Sequence, residues 1–429
     1  MAVEAVRDLF DVTNTREVSL VSGAHGVNEL FSLALPPILP LLISEFDLSY
    51  TRAGLLVTVF FSMYATLQLP AGAVADRLGQ TRLITVGMAV MGTGMTLASV
   101  APSYPVLLGG VALSGAGGST YHPAGMSLIS DIEGAETEGK AMGIHELAGM
   151  FGNMLAPVLI GGLAVVTDWR IALGVTAGVG LLYAGAFALL MEPLSSVDTP
   201  SATTTTSQSG SAERRGLKRL LTDVWEVTRI PLAWWVLGLF LAKLLFTLQS
   251  YGVRTYFTSY VVARTGLSTG IANGMFFLFL AGSALSTVGF GALADRFDRL
   301  DLLTATFLGA GGFIVATAFV PTSAVVLFGW FFLLGVAVYA SLPVVNTLAS
   351  EYSEREFSGS LFGIVQTASG LGGAISPVLF GALASRIGVQ SMFPLIAVTC
   401  FVAGLGFLVT GRCLGEPVQR RKEEDGDDG

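Results

Sequence analysis

The 429-residue sequence predicts an all-α membrane protein of twelve transmembrane helices in two pseudo-symmetric six-helix bundles. Three observations predict it. Apolar residues make up 52% of the chain and charged residues only 13%, about half of the roughly 25% that soluble domains carry. Apolar stretches recur at the ~20-residue length a helix needs to cross a bilayer. The two halves of the chain also repeat one another around a polar linker.

The expected spans are 18–46, 53–75, 83–101, 105–129, 140–166, 170–191, 231–262, 268–294, 301–320, 323–349, 357–384 and 388–411. Glycine and proline recur inside them, as expected where neighbouring helices approach closely and satisfy one another's backbone groups. A β-barrel would alternate polar and apolar residues over segments of about ten, and these runs are too long and uniform for that. The net charge of −8 repels phosphate backbones and argues against a nucleic-acid partner. Two cysteines, Cys400 and Cys413, exclude a disulfide scaffold. Residues 1–17 mix acids and bases without an apolar run, so no cleavable signal peptide is expected and they read as a cytoplasmic segment.

Basic residues set the orientation. With both termini cytoplasmic, the inner segments hold 17 of the 23 bases and the outer loops four, Arg52, Arg170, Arg264 and Arg386. Lys243 and Arg254 fall inside a span. The expected organisation is a bundle over 18–191, a cytoplasmic linker over 192–230, a second bundle over 231–411 and an acidic cytoplasmic tail over 412–429, all in the cell membrane. The Ser/Thr-rich start of the linker cannot bury a core, and the basic stretch Arg214 to Arg219 suits lipid phosphates.

The repeat is explicit. Leu48-Ser49 precedes Asp76-Arg77 as Leu267-Ser268 precedes Asp295-Arg296, each with 27 residues from serine to aspartate. The offset between halves is 219 there and 220 for Pro123/Pro343, Gly139/Gly359, Pro157/Pro377 and Gly161/Gly381. Two such bundles can rock about a central cavity.

Gly72-Ala-Val-Ala-Asp76-Arg77-Leu-Gly79-Gln-Thr-Arg82 closely resembles the GxxxDRxGRR signature of the major facilitator superfamily. Its second-half copy carries Asp295 and Arg296, with Asp298 in place of the signature glycine. Physically, an aspartate at such a turn accepts from helix N-terminal amides and arginines. A cytoplasmic gate of Gly72, Asp76, Arg77, Arg82, Asp295 and Arg296 is therefore expected. The stretches Gly23-Ala-His25-Gly26-Val-Asn28-Glu29, Leu35-Pro36-Pro37-Ile-Leu-Pro40 and Phe46-Asp-Leu48-Ser49, with Tyr121-His122-Pro123, further resemble fosmidomycin-resistance-type transporters. Glu29 stands where that family more often has Asp. The resemblance implies proton-driven export of small, often anionic, toxic compounds, powered by the proton gradient with no cofactor.

Ionisable groups inside spans are costly and mark pathways. They are His25, Glu29, His122, His145, Glu146, Lys243 and Arg254. At 1.5 Å per residue, Glu29 lies about 4–5 Å to the cytoplasmic side of its span's centre and Arg254 about as far to the outer side. His25, His122, His145 and Lys243 lie roughly 8–12 Å cytoplasmic of centre. His25 and Glu29, four residues apart, share a helix face. Glu29 is expected to carry the proton with His25 as relay, and His122 and His145 complete the proton-coupling set, although His122 before Pro123 equally suits a carbonyl that the proline frees. Arg254 is expected to bind a substrate anion or to act as counter-ion of Glu29, and Lys243 either binds substrate or snorkels. Asn28, Tyr121, Gln249 and Tyr256 are candidate uncharged substrate contacts. Tyr64, Gln68, Asn153, Asn346 and Gln366 could add further uncharged contacts to the cavity, and each such group alone more often serves as a helix-to-helix hydrogen bond.

Enzyme motifs fail. Gly134 to Lys140 lacks the Ser/Thr of a phosphate loop, since Ala141 follows the lysine, and three glutamates surround it. His145-Glu146 begins a zinc-protease pattern that Gly149 ends, so no metal is expected. The expected function is alternating-access transport, by proton antiport efflux of a small, drug-like or anionic compound. The alternatives are a proton symporter importing an organic anion and, remotely, a membrane sensor on the same scaffold. Partners are then the small-molecule substrate, protons and lipid, with no obligate protein partner. The orientation has a direct test in a chain whose Cys400 and Cys413 are replaced. Ser103→Cys and Thr322→Cys should react with an impermeant maleimide from outside intact cells, and Glu136→Cys only after permeabilisation.

Overall fold

A computed structural model describes residues 12–191, 232–353 and 358–414. The linker, residues 1–11 and the tail from 415 lie outside the described residues, as does the side chain of Asp76. Among the described residues the regular structure is all helical. The first bundle comprises α1 (Thr15–Ser32), a 3-10 turn (Pro36–Ile38), α2 (Leu39–Phe46), α3 (Tyr50–Leu78), α4 (Gln80–Ser99), α5 (Tyr104–Gly118), α6 (Tyr121–Ile132) and α7 (Glu138–Ala156). A π turn (Pro157–Gly161), α8 (Gly162–Val166) and α9 (Trp169–Met191) complete it. The second comprises α10 (Leu232–Thr265), α11 (Thr269–Ala294), α12 (Arg299–Ala316), α13 (Ala324–Tyr339), α14 (Ser341–Ser353), α15 (Ser358–Ile387), α16 (Val389–Leu395) and α17 (Ala397–Leu414).

Ten of these segments are long and apolar enough to cross a membrane. The other two expected spans are helical as well. One is α4, whose polar start Gln80-Thr81-Arg82 dilutes its hydropathy. The other is split into α5 and α6, because Ser119 and Thr120 turn their hydroxyls onto the carbonyls of Ala116 (2.6 Å) and Gly117 (3.0 Å). That split sets Tyr121 and His122 in the first turn of α6, where Pro123 costs no backbone bond. The first expected span breaks likewise at Pro36-Pro37, and the carbonyl of Pro37 accepts from Asn273 in the other bundle (3.1 Å). Backbone freed inside an apolar medium has to be satisfied by a neighbour.

The sequence repeat has a local cause. Ser49 and Ser268 are the N-caps of α3 and α11, accepting from the backbone N–H of Arg52 (3.3 Å) and Ile271 (3.4 Å). The halves differ at the following turn. Gly79 has φ +85°, a left-handed conformation that favours glycine. Asp298 has an ordinary φ of −55° and caps α12 through the N–H of Asp301 (2.8 Å). Loss of the signature glycine therefore exchanges one turn for another and leaves the helix start intact.

The N-terminus of α1 has no side-chain cap of its own. Glu133, between α6 and α7, supplies one by accepting from the N–H of Asn14 (2.7 Å) and Thr13 (3.1 Å) and the hydroxyl of Thr137 (2.5 Å). Burial pushes the Glu133 carboxyl up. The Thr137 hydroxyl and the two backbone donors outweigh burial and hold it below the ordinary glutamate value of 4.5. The strap is thus present above that value and lost as pH falls through the lowered one.

The two bundles meet along α3 and α15. Thr51 N–H donates to Ser385 Oγ (2.9 Å), and Val378 N–H donates to Thr58 Oγ1 (3.2 Å). The Tyr256 hydroxyl donates to the carbonyl of Pro377 (2.5 Å) with the carbonyl of Tyr50 beside it (3.2 Å). A side chain at Gly54 or Gly381 would collide with these same carbonyls and with the Tyr256 hydroxyl. At the opposite end Leu69, Leu78 and Phe297 are exposed. Arg77, Arg82, Asp295 and Arg296 are exposed there too, and Gly72 lies against Pro123 of its own bundle.

The seal predicts a cross-link. In a chain without Cys400 and Cys413, Thr51→Cys/Ser385→Cys should oxidise to a disulfide, because the two hydroxyls lie 3.0 Å apart. Adding Gly54→Val should lower the yield of alkylation-resistant product several-fold.

Candidate functional site

The polar site begins on α1. His25 and Glu29 share one face, and the backbone of α7 comes so close that the His25 ring fills the space a side chain at Gly149 would need. The imidazole Nδ1 lies 2.8 Å from the carbonyl of His145. A carbonyl only accepts, so the network assigns the hydrogen to Nδ1 and leaves Nε2 bare in the neutral ring. Nε2 faces Glu29 Oε1 at 3.9 Å, and His122 Nε2 from α6 lies 3.6 Å from the same oxygen. The Glu29 and His122 side chains keep 18% and 29% exposure, so the pair is reachable from outside the packed core.

Behind this pair the rings stack. His25 lies 4.0 Å from His145 and 5.3 Å from Tyr121, centroid to centroid. The Tyr121 hydroxyl donates to the carbonyl of Val21 (2.5 Å), so at 3.1 Å from His145 Nε2 it accepts, which puts the hydrogen of His145 on Nε2. Nδ1 of His145 is then bare, buried and without a hydrogen-bond partner, 3.7 Å from the exposed Glu146 carboxylate. Protonating that nitrogen would turn the contact into an ion pair.

The other oxygen of Glu29 faces the second bundle. Asn153 of α7 donates from Nδ2 to Glu29 Oε2 (2.7 Å), and its Oδ1 accepts from Arg254 Nη2 of α10 (2.7 Å). Ser32 Oγ adds a longer contact to Oε2 (3.3 Å). Arg254 otherwise reaches the Tyr339 hydroxyl (3.4 Å) and lies over the Tyr251 ring (5.5 Å). Carboxylate and guanidinium are thus one amide apart, across the bundle interface. The ligand-type atoms of His25, Glu29 and His122 lie within 4.8 Å of one another, as do those of His25, His145 and Glu146. A guanidinium one amide from Glu29 opposes a divalent cation in the first group, and the His145 carbonyl occupies Nδ1 of His25 in the second.

The sequence profile of the Major Facilitator Superfamily matches residues 21–283 and 259–427. The chain belongs to that superfamily. It is 24% identical over 392 residues to the fosmidomycin resistance protein of Escherichia coli (strain K12), with 90% of each chain covered. It is 26% identical over 401 residues to the probable sulfoacetate transporter SauU of Cupriavidus necator, covering 88% of this chain and 85% of that one. Its fold is similar to that of a bacterial homolog of the human lysosomal transporter Spinster in an inward-facing, unoccupied conformation. There the TM-score is 0.77 at 17% identity, covering 93% of this chain and 97% of that one. The protein is a multi-pass membrane transporter of small molecules, and its superfamily is not one of enzymes.

Within this facilitator fold the remaining predicted residues take other places. Lys243 is buried and donates to Asn346 Oδ1 (3.1 Å). Eleven residues separate it from Arg254 on α10, about 16 Å along the helix, so the two cations do not share one site. Four candidate uncharged contacts are buried with protein partners. Asn28 donates to the Tyr64 hydroxyl (2.9 Å), and Tyr121 joins the histidine stack. Gln249 donates to the carbonyl of Val338 (2.9 Å) and accepts from Cys400, while Tyr256 belongs to the seal. None of the four is held to Glu29 or Arg254 by a hydrogen bond in the described structure. Asn153, in the sequence only one of several amides that serve a cavity or a helix contact, is the one that joins Glu29 to Arg254. Its only sequence signal is an amide in an apolar span, which many structural asparagines share.

The stack yields a stability prediction. Tyr121→Phe keeps the ring but leaves the buried His145 Nε2–H without an acceptor. It should cost about 1–3 kcal/mol, read as a lowered midpoint of unfolding in detergent.

Proposed function

We propose that this facilitator is a proton-coupled transporter of small organic anions, with Glu29 as the proton carrier and Arg254 as the anion contact. The observation that carries the reading is the partition of Glu29. One oxygen faces two histidines and the other faces an amide that holds the arginine of the opposite bundle. Protons reach the carboxylate through the partly exposed His122, with His25 and His145 behind it. A protonated Glu29 no longer compensates Arg254, which is then open to an anion. Lys243, with Asn346, offers a second cation further along α10.

The bundles seal at the end that the distribution of bases assigns to the outside, and we read the conformation as open to the cytoplasm. In that orientation the exposed Arg77, Arg82, Asp295 and Arg296 belong to the parted cytoplasmic gate, which closes beside Gly72 when the cavity turns outward. Likeness to the fosmidomycin resistance protein favours efflux, which the carrier reading of Glu29 would drive by proton antiport. One observation favours symport instead. An anion that takes Arg254 away from Asn153 leaves Glu29 uncompensated, and a proton restores the balance.

Inverted vesicles holding the purified chain, with labelled sulfoacetate and a methylphosphonate as probes, decide between these. Acidifying the lumen should drive accumulation by an exporter and oppose it by a symporter. In either case Glu29→Gln should remove the response to the pH gradient while exchange of labelled for unlabelled probe continues. A Glu29→Gln protein that still accumulates probe with unaltered pH dependence would overturn the carrier assignment.

A further inference from the structure

Asn153 is the one uncharged side chain that touches charged groups of both bundles in the described structure. Its orientation follows from the charges. A carboxylate only accepts and a guanidinium only donates, so Nδ2 has to face Glu29 and Oδ1 has to face Arg254. A flipped amide would set oxygen against carboxylate and N–H against N–H. Both bonds are 2.7 Å, the length of charge-assisted hydrogen bonds. Arg254 has no carboxylate within ion-pair distance among the described residues, its Nε has no partner, and its only other hydrogen bond there is the longer one to Tyr339.

We propose that Asn153 is the positioning residue that couples the proton site to the anion site, resting on the carrier reading of Glu29. Ionised Glu29 polarises the amide and fixes its oxygen on Arg254. When Glu29 takes a proton, the bond from Nδ2 loses its charge assistance and the amide oxygen becomes a weaker competitor for the guanidinium. A carboxylate, sulfonate or phosphonate then displaces it. A direct Glu29–Arg254 ion pair would hold the bundles together more tightly for as long as Glu29 is ionised. The intervening amide makes that contact easier to break.

The groups facing this carboxylate come from every helix packed on it. They are His25 of α1, His122 and Tyr121 of α6, Tyr64 of α3, and Arg254 with Tyr251 of α10. His145 and Glu146 of α7 stand behind His25. Glu29, the three histidines, Glu146, Arg254 and the three tyrosines all remain in an Asn153→Ala chain, so a changed pH profile there reports the amide.

The test uses proteoliposomes of the full chain with labelled sulfoacetate and methylphosphonate, comparing wild type, Glu29→Gln, Asn153→Ala, Asn153→Gln and Asn153→Asp. Asn153→Ala should retain exchange of probe but lose gradient-driven accumulation, by about the 5- to 150-fold typical of coupling between sites. Its exchange rate should also lose its dependence on pH. Asn153→Gln keeps the amide and should recover part of both, which a packing role would not predict. Asn153→Asp sets a carboxylate between Glu29 and Arg254, so the two acids share one proton; it should raise the KM for probe and shift the pH profile of exchange. Any variant is scored only if its unfolding midpoint matches wild type, and Asn153→Gln against Asn153→Asp decides if alanine does not fold. Wild-type accumulation and pH profile in Asn153→Ala, beside an uncoupled Glu29→Gln, would overturn the role of Asn153 alone. Unaltered pH dependence in Glu29→Gln would overturn the carrier reading and this inference with it.

Discussion

One carboxylate in an apolar bundle sets the terms for the rest of the site. Placing an acid near the centre of a bilayer costs about 2.5–3.5 kcal/mol on insertion scales, and a typical net hydrogen bond contributes only ~1 kcal/mol. No single partner is therefore enough for Glu29. Its partners come from three further helices, with His122 on α6, Asn153 on α7 and, through the amide, Arg254 on α10. The helix α1 that carries it is anchored at its start by Glu133, from the connection between α6 and α7. The strap and the site thus join α1, α6 and α7 at two heights, and only the site reaches α10.

Breaks in the helices do the positioning. The hydroxyl bonds of Ser119 and Thr120 interrupt a span and turn His122 toward Glu29. The π turn at Pro157–Gly161 follows Asn153 by four residues and packs against α11, so α7 contributes to both the polar site and the bundle interface. The Pro36-Pro37 turn frees a carbonyl that Asn273 recovers from the other bundle. In water such defects would be solvated. In lipid each one needs a protein partner, and several of the partners lie across the interface.

Much of this was legible in the sequence, for a physical reason. Charge is so costly inside a span that seven ionisable residues stand out against an apolar background, and six of them, His25, Glu29, His122, His145, Glu146 and Arg254, converge in space. The repeated Leu-Ser pair was visible because a helix start has a chemical signature. Asn153 was not distinguishable from Asn346 or Gln366, because an amide is cheap enough to occur in apolar helices for packing alone. Tyr121 and Tyr256 were visible as polar groups, but their burial depends on which helix lies opposite, and no local pattern encodes that. Helix interruptions without proline, such as the one at Ser119-Thr120, escape hydropathy for the same reason.

Glu29 and all three histidines belong to the first bundle, and the two cations inside spans, Arg254 and Lys243, belong to the second. On the proposed assignment the energy source and the cargo are therefore handled by separate halves of one gene product, joined at a single amide. A lineage built this way can diversify its cargo by changing residues 232–414 while the other half keeps its inherited chemistry. The converse also holds, since a change of driving ion would be confined to residues 12–191. Such a division would let relatives with different substrates share one recognisable first half.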